Sequence, residues 1–207
     1  RIFGFGQKTG IDIPEETKGL LPSAEYFDKV YGPKGWTQGY LVSLGIGQGE
    51  LGVSPLQMAC YCMALANSGT YYQPHLVKFM KNPNTGEIIP VNYKKRELEI
   101  DKKYFELIRK GMYYVVNGSG TARGIKSDEV EIAGKTGTAQ NPHGRDHSWF
   151  IAFAPYENPK IAICVLVENA GFGASVAAPI AGRLIKKYLL GYSDESEIIQ
   201  TSASLPD

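Results

Sequence analysis

Ala133-Gly134-Lys135-Thr136-Gly137-Thr138-Ala139-Gln140 is the stretch on which the reading of this sequence turns. It sits in a strand candidate, Val130 to Gln140, followed by two more, Ser148 to Ala154 and Ile161 to Glu168. Only Pro155–Lys160 separates the last two, so they pair antiparallel as a meander. A cation beside two hydroxyls on an exposed strand suits a terminal carboxylate, with the ammonium for charge and the hydroxyls for directional bonds. Gly137 removes a side chain, so that a ligand backbone can lie against the strand and pair with it. The amide of Thr138 is then placed to point at a developing oxyanion. Strict alternation puts Thr136 and Thr138 on one face and Lys135 on the other, so Lys135 must reach round by its length or by local twist. The competing reading is an ordinary strand with a glycine bulge. The tripeptide alone favours that reading, because Lys8-Thr9-Gly10 repeats it.

Working outward, Arg1 to Tyr40 is rich in Gly and Pro and has little periodicity, with turn chemistry at residues 10–14 and 32–35. A short apolar strand is expected over Tyr40 to Ile46, leading into Gly47-Gln48-Gly49-Glu50-Leu51-Gly52. Ser54 as N-cap, Pro55 at the first helical position and Gly69 past the end frame a helix whose run Leu56 to Ala66 is apolar on nearly every side, hence central. Tyr71 to Met80 reads as extended, and Asn82 to Gly86 turns it back into Glu87–Val91. A second helix, about Asp101 to Val116, carries Tyr104, Leu107, Ile108 and Met112 on one stripe. A last amphipathic helix, Ala174 to Leu190, bears Arg183, Lys186 and Lys187 near its C-terminal end. The domain is expected to span 1–190, with a polar tail over 191–207. The fold class is α+β, an antiparallel sheet with helices on its faces.

The chain has 207 residues, and 22 Lys+Arg against 21 Asp+Glu leave a net charge of +1. That balance removes the electrostatic case for nucleic acid or an anionic membrane as partner. The longest apolar run, Met58 to Ala66, has nine residues, against the roughly 18 a membrane span needs. There is no secretory signal, and an opening on Arg1 rather than Met fits a processed or excised piece. Cys60 and Cys62 point about 200° apart on a helix and cannot chelate one ion together. With Cys164 they read as small buried hydrophobes.

Other motifs fail on their own terms. Gly47-x-Gly49-x-x-Gly52 lies between a strand candidate and a helix, but no Asp or Glu occurs between Glu50 and Glu87 to hold a ribose. Gly134-Lys135-Thr136 could end a phosphate loop only if residue 129 were glycine, and it is Glu129. His143-x-x-x-His147 with Asp146 lies in a loop, where His147 or Asp146 more simply bonds backbone at the start of the next strand. Ser175 misses a nucleophile elbow by its last glycine and suits a helix N-cap better. No cofactor and no metal are expected.

Taken in order, the motifs resemble a known family. Gly134 to Gln140, then Asp146-His147-Ser148-Trp149-Phe150-Ile151-Ala152-Phe153-Ala154-Pro155, then Val167-Glu168-Asn169, look like the third active-site motif and following strands of penicillin-binding protein transpeptidase domains. Ser43 to Leu51 with Ser54 to Ala59 is similar to the segment that precedes that motif. Gly6 to Pro14 with Gly19 to Ser23 resembles the class B, elongation-type members of the family (penicillin-binding protein 2), in which Lys8-Thr9-Gly10 is a structural loop.

The resemblance covers about residues 3 to 190 and implies the penicillin-binding, serine β-lactamase-like fold. It also implies a serine D,D-transpeptidase that cross-links peptidoglycan stem peptides ending in D-Ala-D-Ala through an acyl-enzyme and is acylated by β-lactams. In that family Lys135, Thr136, Gly137 and Thr138 would bind the substrate's carboxylate end, with the Thr138 amide in the oxyanion hole. The family also needs Ser-x-x-Lys, which carries the nucleophile, and Ser-x-Asn. None of the 12 serines here has Lys three residues on or Asn two residues on. The expectation is therefore the C-terminal part of the domain, without nucleophile or membrane anchor, inactive alone and prone to self-association through an unpaired sheet edge. Its parent would lie at the extracytoplasmic face of a bacterial inner membrane, with the missing N-terminal half of the domain as its partner. The alternatives are a non-catalytic peptidoglycan- or carboxylate-binding module and, more distantly, a nucleotide-binding enzyme.

Overall fold

Ser23 and Ser54 each begin a helix. The computed structural model, which describes residues 1–191, places α1 over Ala24–Tyr31, with the Ser23 hydroxyl accepting from the Tyr26 amide at 3.3 Å. Helix α2 (Gln38–Gly45) replaces the strand expected over Tyr40 to Ile46. A short apolar run fits either element, and its partners decide. Tyr40 turns onto the rings of Phe27 and Tyr31, at 5.5 and 5.2 Å between centroids, while Val42 and Ile46 stay exposed.

Helix α3 (Pro55–Ala66) is capped as expected, the Ser54 hydroxyl accepting from the Gln57 amide and the Gln57 carboxamide from the Ser54 amide. The left-handed turn expected of Gly69 is shared by Ser68 (φ 50°) and Gly69 (φ 97°), the C-cap being Asn67. Gln57 is buried, and its Nε2 donates to the carbonyls of Gln7 and Lys18 at 2.8 and 2.9 Å. One carboxamide thus pins the irregular N-terminal stretch to the central helix.

The segment expected as one extended run contains β1 (Thr70–Tyr72) and β2 (Phe79–Lys81), and these join different ribbons. β2 pairs with β3 (Ile88–Pro90) across the expected turn, and β1 with β4 (Lys95–Glu97). Helix α4 (Lys102–Asn117) is capped by Asp101, but its buried stripe is Phe105, Met112 and Val116. Of the four residues expected there only Met112 is buried; Tyr104, Leu107 and Ile108 face outward. Both stripes have helical spacing, and the strand beneath selects one. Arg109, in line with the buried set, donates to the carbonyls of Ala66 and Tyr156 and stacks over Phe153 and Tyr156.

The expected meander forms the main sheet, with β5 (Ala133–Ala139), β6 (His147–Ala154) and β7 (Ile161–Val167) antiparallel in that order. Helix α5 (Ala177–Leu190) follows. Phe150 and Ala152 of β6, with Ile163 and Val165 of β7, face Ala178, Ala181 and Ile185 of α5. Alternate residues Ile151 and Phe153 face Cys62 and Leu65 of α3 and Phe105 and Met112 of α4. The sheet is therefore covered on both faces, which explains why β6 is apolar at nearly every position. β5 and β7 each keep one edge without a partner strand among the described residues. The tail expected over 191–207 lies, apart from Gly191, outside the described residues.

Cys60 and Cys62 bury on different sides of α3, in separate clusters, as the helical spacing requires. Burial raises the pKa of all three thiols above the ordinary 9.0, that of Cys164 to about 12. A thiol that ionises at higher pH folded than unfolded stabilises the fold fully below the unfolded pKa, and that contribution is lost as pH rises from about 9 towards 12. Cys164, expected to be buried, is half-buried on β7. At pH 8 iodoacetamide should therefore label Cys60 and Cys62 slowly in the native chain and all three cysteines within minutes in urea. Fast native labelling of Cys60 or Cys62 would contradict the burial.

Candidate functional site

β5 is the outer strand on the side away from β7, and its free edge carries alternate backbone groups. Thr138 O and the Gln140 amide lie on that edge, because Gln48 bonds both from outside the sheet, and alternation places Thr136 O there too. Lys135, which alternation places on the opposite face from the threonines, folds round so that Nζ donates to Thr136 O at 2.7 Å. The reach that the sequence demanded of this side chain is made across a single residue. Lys135 is exposed, and the carboxamide of Gln48 donates to Thr138 O at 3.0 Å. The amide of Thr138 points to the same edge as its carbonyl.

The hydroxyl of Thr136 shares a hydrogen bond with that of Thr121 at 2.8 Å. Thr121 lies in the turn after α4, where the Ala122 amide bonds Val115 O at 3.0 Å. Two glycines of β5 have different tasks. A Cβ on Gly134 would come within 2.4 Å of Phe150 Cζ, so this glycine serves core packing. Gly137 lies opposite Trp149, whose Cβ a methyl there would meet at 3.1 Å.

The far wall is the loop between β7 and α5. Ser148, fully buried and opposite Thr138, donates to Phe172 O at 3.1 Å and accepts from the Ala177 amide at 3.0 Å. The Ser148 hydroxyl therefore serves the first turn of α5. Ser175, the expected cap, is not the N-cap; the chain takes that position at Val176, without a side-chain bond. Gly173 presses onto the strand pair between Gly137 and Trp149.

A family model for the penicillin binding protein transpeptidase domain matches residues 1–186. The chain belongs to this family. The peptidoglycan D,D-transpeptidase MrdA of Haemophilus influenzae is 40% identical over 210 residues, which cover 90% of this chain and 31% of that protein. Pseudomonas aeruginosa PBP2 in complex with WCK 5153 matches at a TM-score of 0.76 and 38% identity, over 94% of this chain and 41% of that one. Helicobacter pylori PBP2, solved in complex with MreC, matches at 0.76 and 34%, over 93% of this chain and 35% of that one. The chain spans about a third of the length of the curated relatives it matches.

Within this penicillin-binding domain segment the other motifs resolve structurally. His147 Nδ1 accepts from the Asn169 amide at 3.0 Å, and Asp146 accepts from the Asn141 amide at 3.2 Å, so both tie loops at the head of β6. No group of three or more metal-ligand side chains occurs among the described residues. Gly47 and Gly49, with φ of 77° and 71°, form a turn that presents Gln48 to β5. Gln48 and Thr121 are the site residues that sequence reasoning missed. The available signal was a polar side chain between two glycines, and a threonine just after a helix-ending glycine pair.

A Cβ at Gly173 would stand 2.2 Å from Trp149 O and 2.5 Å from Gly137 O, both backbone. Gly173→Ala should therefore lift the loop off the sheet, at a cost of about 1–3 kcal/mol. Urea denaturation measures the loss, and faster exchange of the Ala177 amide locates it. A variant as stable as the parent would contradict this packing.

Proposed function

We propose that this chain supplies the carboxylate-binding and oxyanion side of a serine D,D-transpeptidase that cross-links peptidoglycan. The observation that carries the reading is the edge of β5, where a cation, a paired hydroxyl and the Thr138 amide fall within four residues, Lys135 to Thr138. Lys135 would leave Thr136 O to face the C-terminal carboxylate of a stem peptide, with Thr136 and Thr138 giving directional bonds. Gly137 lets the peptide backbone lie on the strand.

The nucleophile is a serine of a Ser-x-x-Lys motif, which this sequence does not contain. That serine attacks the D-Ala-D-Ala carbonyl, and its proton passes to the neighbouring base. The carbonyl oxygen gains charge next to the Thr138 amide, the C–N bond breaks and D-Ala leaves. An amine of a second stem then takes the acyl group. β-Lactams would enter by the same route. The proposed setting is the extracytoplasmic face of the bacterial inner membrane, with the N-terminal half of the domain as obligate partner. Stem peptides are the substrate, and the H. pylori relative's complex with MreC gives a protein associate a precedent. The near-neutral net charge gives nucleic acid no electrostatic role.

Fluorescent penicillin tests this reading. The chain alone should take no covalent label, whereas the intact protein should take one per molecule. In the intact protein Lys135→Ala should slow acylation about 10- to 100-fold, the loss of a hydrogen bond to a charged group. Label on the isolated chain, or an unimpaired Lys135→Ala, would overturn it. Reversible capture of D-Ala-D-Ala peptides by an intact protein that never acylates would favour the non-catalytic module instead.

A further inference from the structure

Gln48 Nε2 donates to Thr138 O at 3.0 Å, and Gln48 Oε1 accepts from the Gln140 amide at 3.3 Å. These backbone groups lie on one strand edge two residues apart. A carboxamide carries a donor and an acceptor, so it meets both needs as a neighbouring strand would. A carboxylate could serve only the amide, and an ammonium only the carbonyl.

The presentation is built into the chain. Gly47 and Gly49 both take positive φ, the Gly47 amide bonds Leu44 O, and the Gln48 amide bonds Ser43 O at 2.9 Å. The turn closes on the end of α2 and leaves the side chain one direction to go. The contact joins residues 90 and 92 apart in sequence. It also lies where β5 ends, Ala139 being its last residue.

We propose that Gln48 is a positioning residue for the reaction assigned to β5: it holds the Thr138 edge in place and closes that edge just beyond it. The inference rests on the reading of β5 as the substrate strand. Two consequences follow from the geometry. The Thr138 amide cannot fray outward with the strand end, so the oxyanion donor stays aimed. A ligand backbone that pairs with this edge must stop at Thr138, and the stretch from Thr136 to Thr138, about 7 Å of strand, is the length of a dipeptide. Thr138 O keeps a second lone pair for that ligand.

The test uses the intact protein with Gln48→Met, which keeps the volume and loses both bonds, and Gln48→Glu, which keeps only the acceptor. Acylation by fluorescent penicillin is resolved into half-saturating concentration and limiting rate, alongside melting temperature and exchange of the Gln140 amide. Gln48→Met should speed that exchange about tenfold or more and cut the limiting rate about 10- to 100-fold. Half-saturation and melting temperature should hardly change, since a misaimed oxyanion donor acts in the transition state. Gln48→Glu should protect the Gln140 amide better than Gln48→Met, yet acylate as slowly. Wild-type acylation by both variants, with Lys135→Ala crippled, overturns the role of Gln48 and leaves the β5 reading standing. Wild-type acylation by Lys135→Ala as well overturns the β5 reading. A fall in rate that only follows a fall in melting temperature makes Gln48 structural and overturns the proposal.

Discussion

β6 has strands on both edges and helices on both faces, and this enclosure constrains everything around it. A strand so placed has no free direction in which to relieve crowding, because interiors pack to crystal-like density. Its neighbours must give way. Gly134 exists because a methyl there would enter the Phe150 ring, and Gly173 because one there would enter the Trp149 carbonyl. The same crowding leaves the outer edge of β5 as the place where backbone and polar side-chain groups of the sheet meet partners from other elements.

Ser148 shows how the centre of the sheet organises that edge. Among the described residues it is one of two buried polar residues, the other being Gln57, and both are fully bonded. The Ser148 hydroxyl ties Phe172 O and the first turn of α5 to the strand position opposite Thr138. Thr121 reaches Thr136 from the end of α4, and Gln48 reaches Thr138 from the turn before α3. Three elements distant in sequence therefore converge around two alternate positions of one strand, Thr136 and Thr138.

What could be read in advance follows from which signals are local. The pairing of the last two strands was legible because only Pro155–Lys160 joins two apolar runs, and α3 because Ser54 and Pro55 encode its start. α2 was not, since Tyr40 to Ile46 carries no period to separate helix from strand, and the deciding contact is a ring cluster made by Phe27 and Tyr31. The stripe of α4 was misassigned because two apolar stripes compete on that helix and only the sheet chooses between them. In the site, Lys135 to Thr138 could be singled out only through the ordered motifs around them, since the tripeptide itself occurs twice. Gln48 and Thr121 could not be named at all, because their contacts are hydrogen bonds to backbone and hydroxyl across 90 and 15 residues.

The repeated tripeptide makes the dependence on context concrete. At Lys8-Thr9-Gly10 the amides of Thr9 and Gly10 donate to the two carboxylate oxygens of Glu16, at 2.7 and 3.0 Å. Burial alone would raise the pKa of Glu16. The Thr9 hydroxyl, those amides and the charge of Lys8 outweigh it and lower it below the ordinary carboxylate value. In this loop the tripeptide already holds a carboxylate, and the chain supplies it. At Lys135-Thr136-Gly137 the ammonium rests on a backbone carbonyl, and the strand conformation turns successive groups to an edge instead of gathering them round one anion. A cation resting on a neutral oxygen gains by exchanging it for a carboxylate of the right reach. The first copy is therefore a closed contact that fixes a turn, and the second is the one that the proposed function gives to a ligand's carboxylate. Backbone conformation, rather than residue type, separates the two.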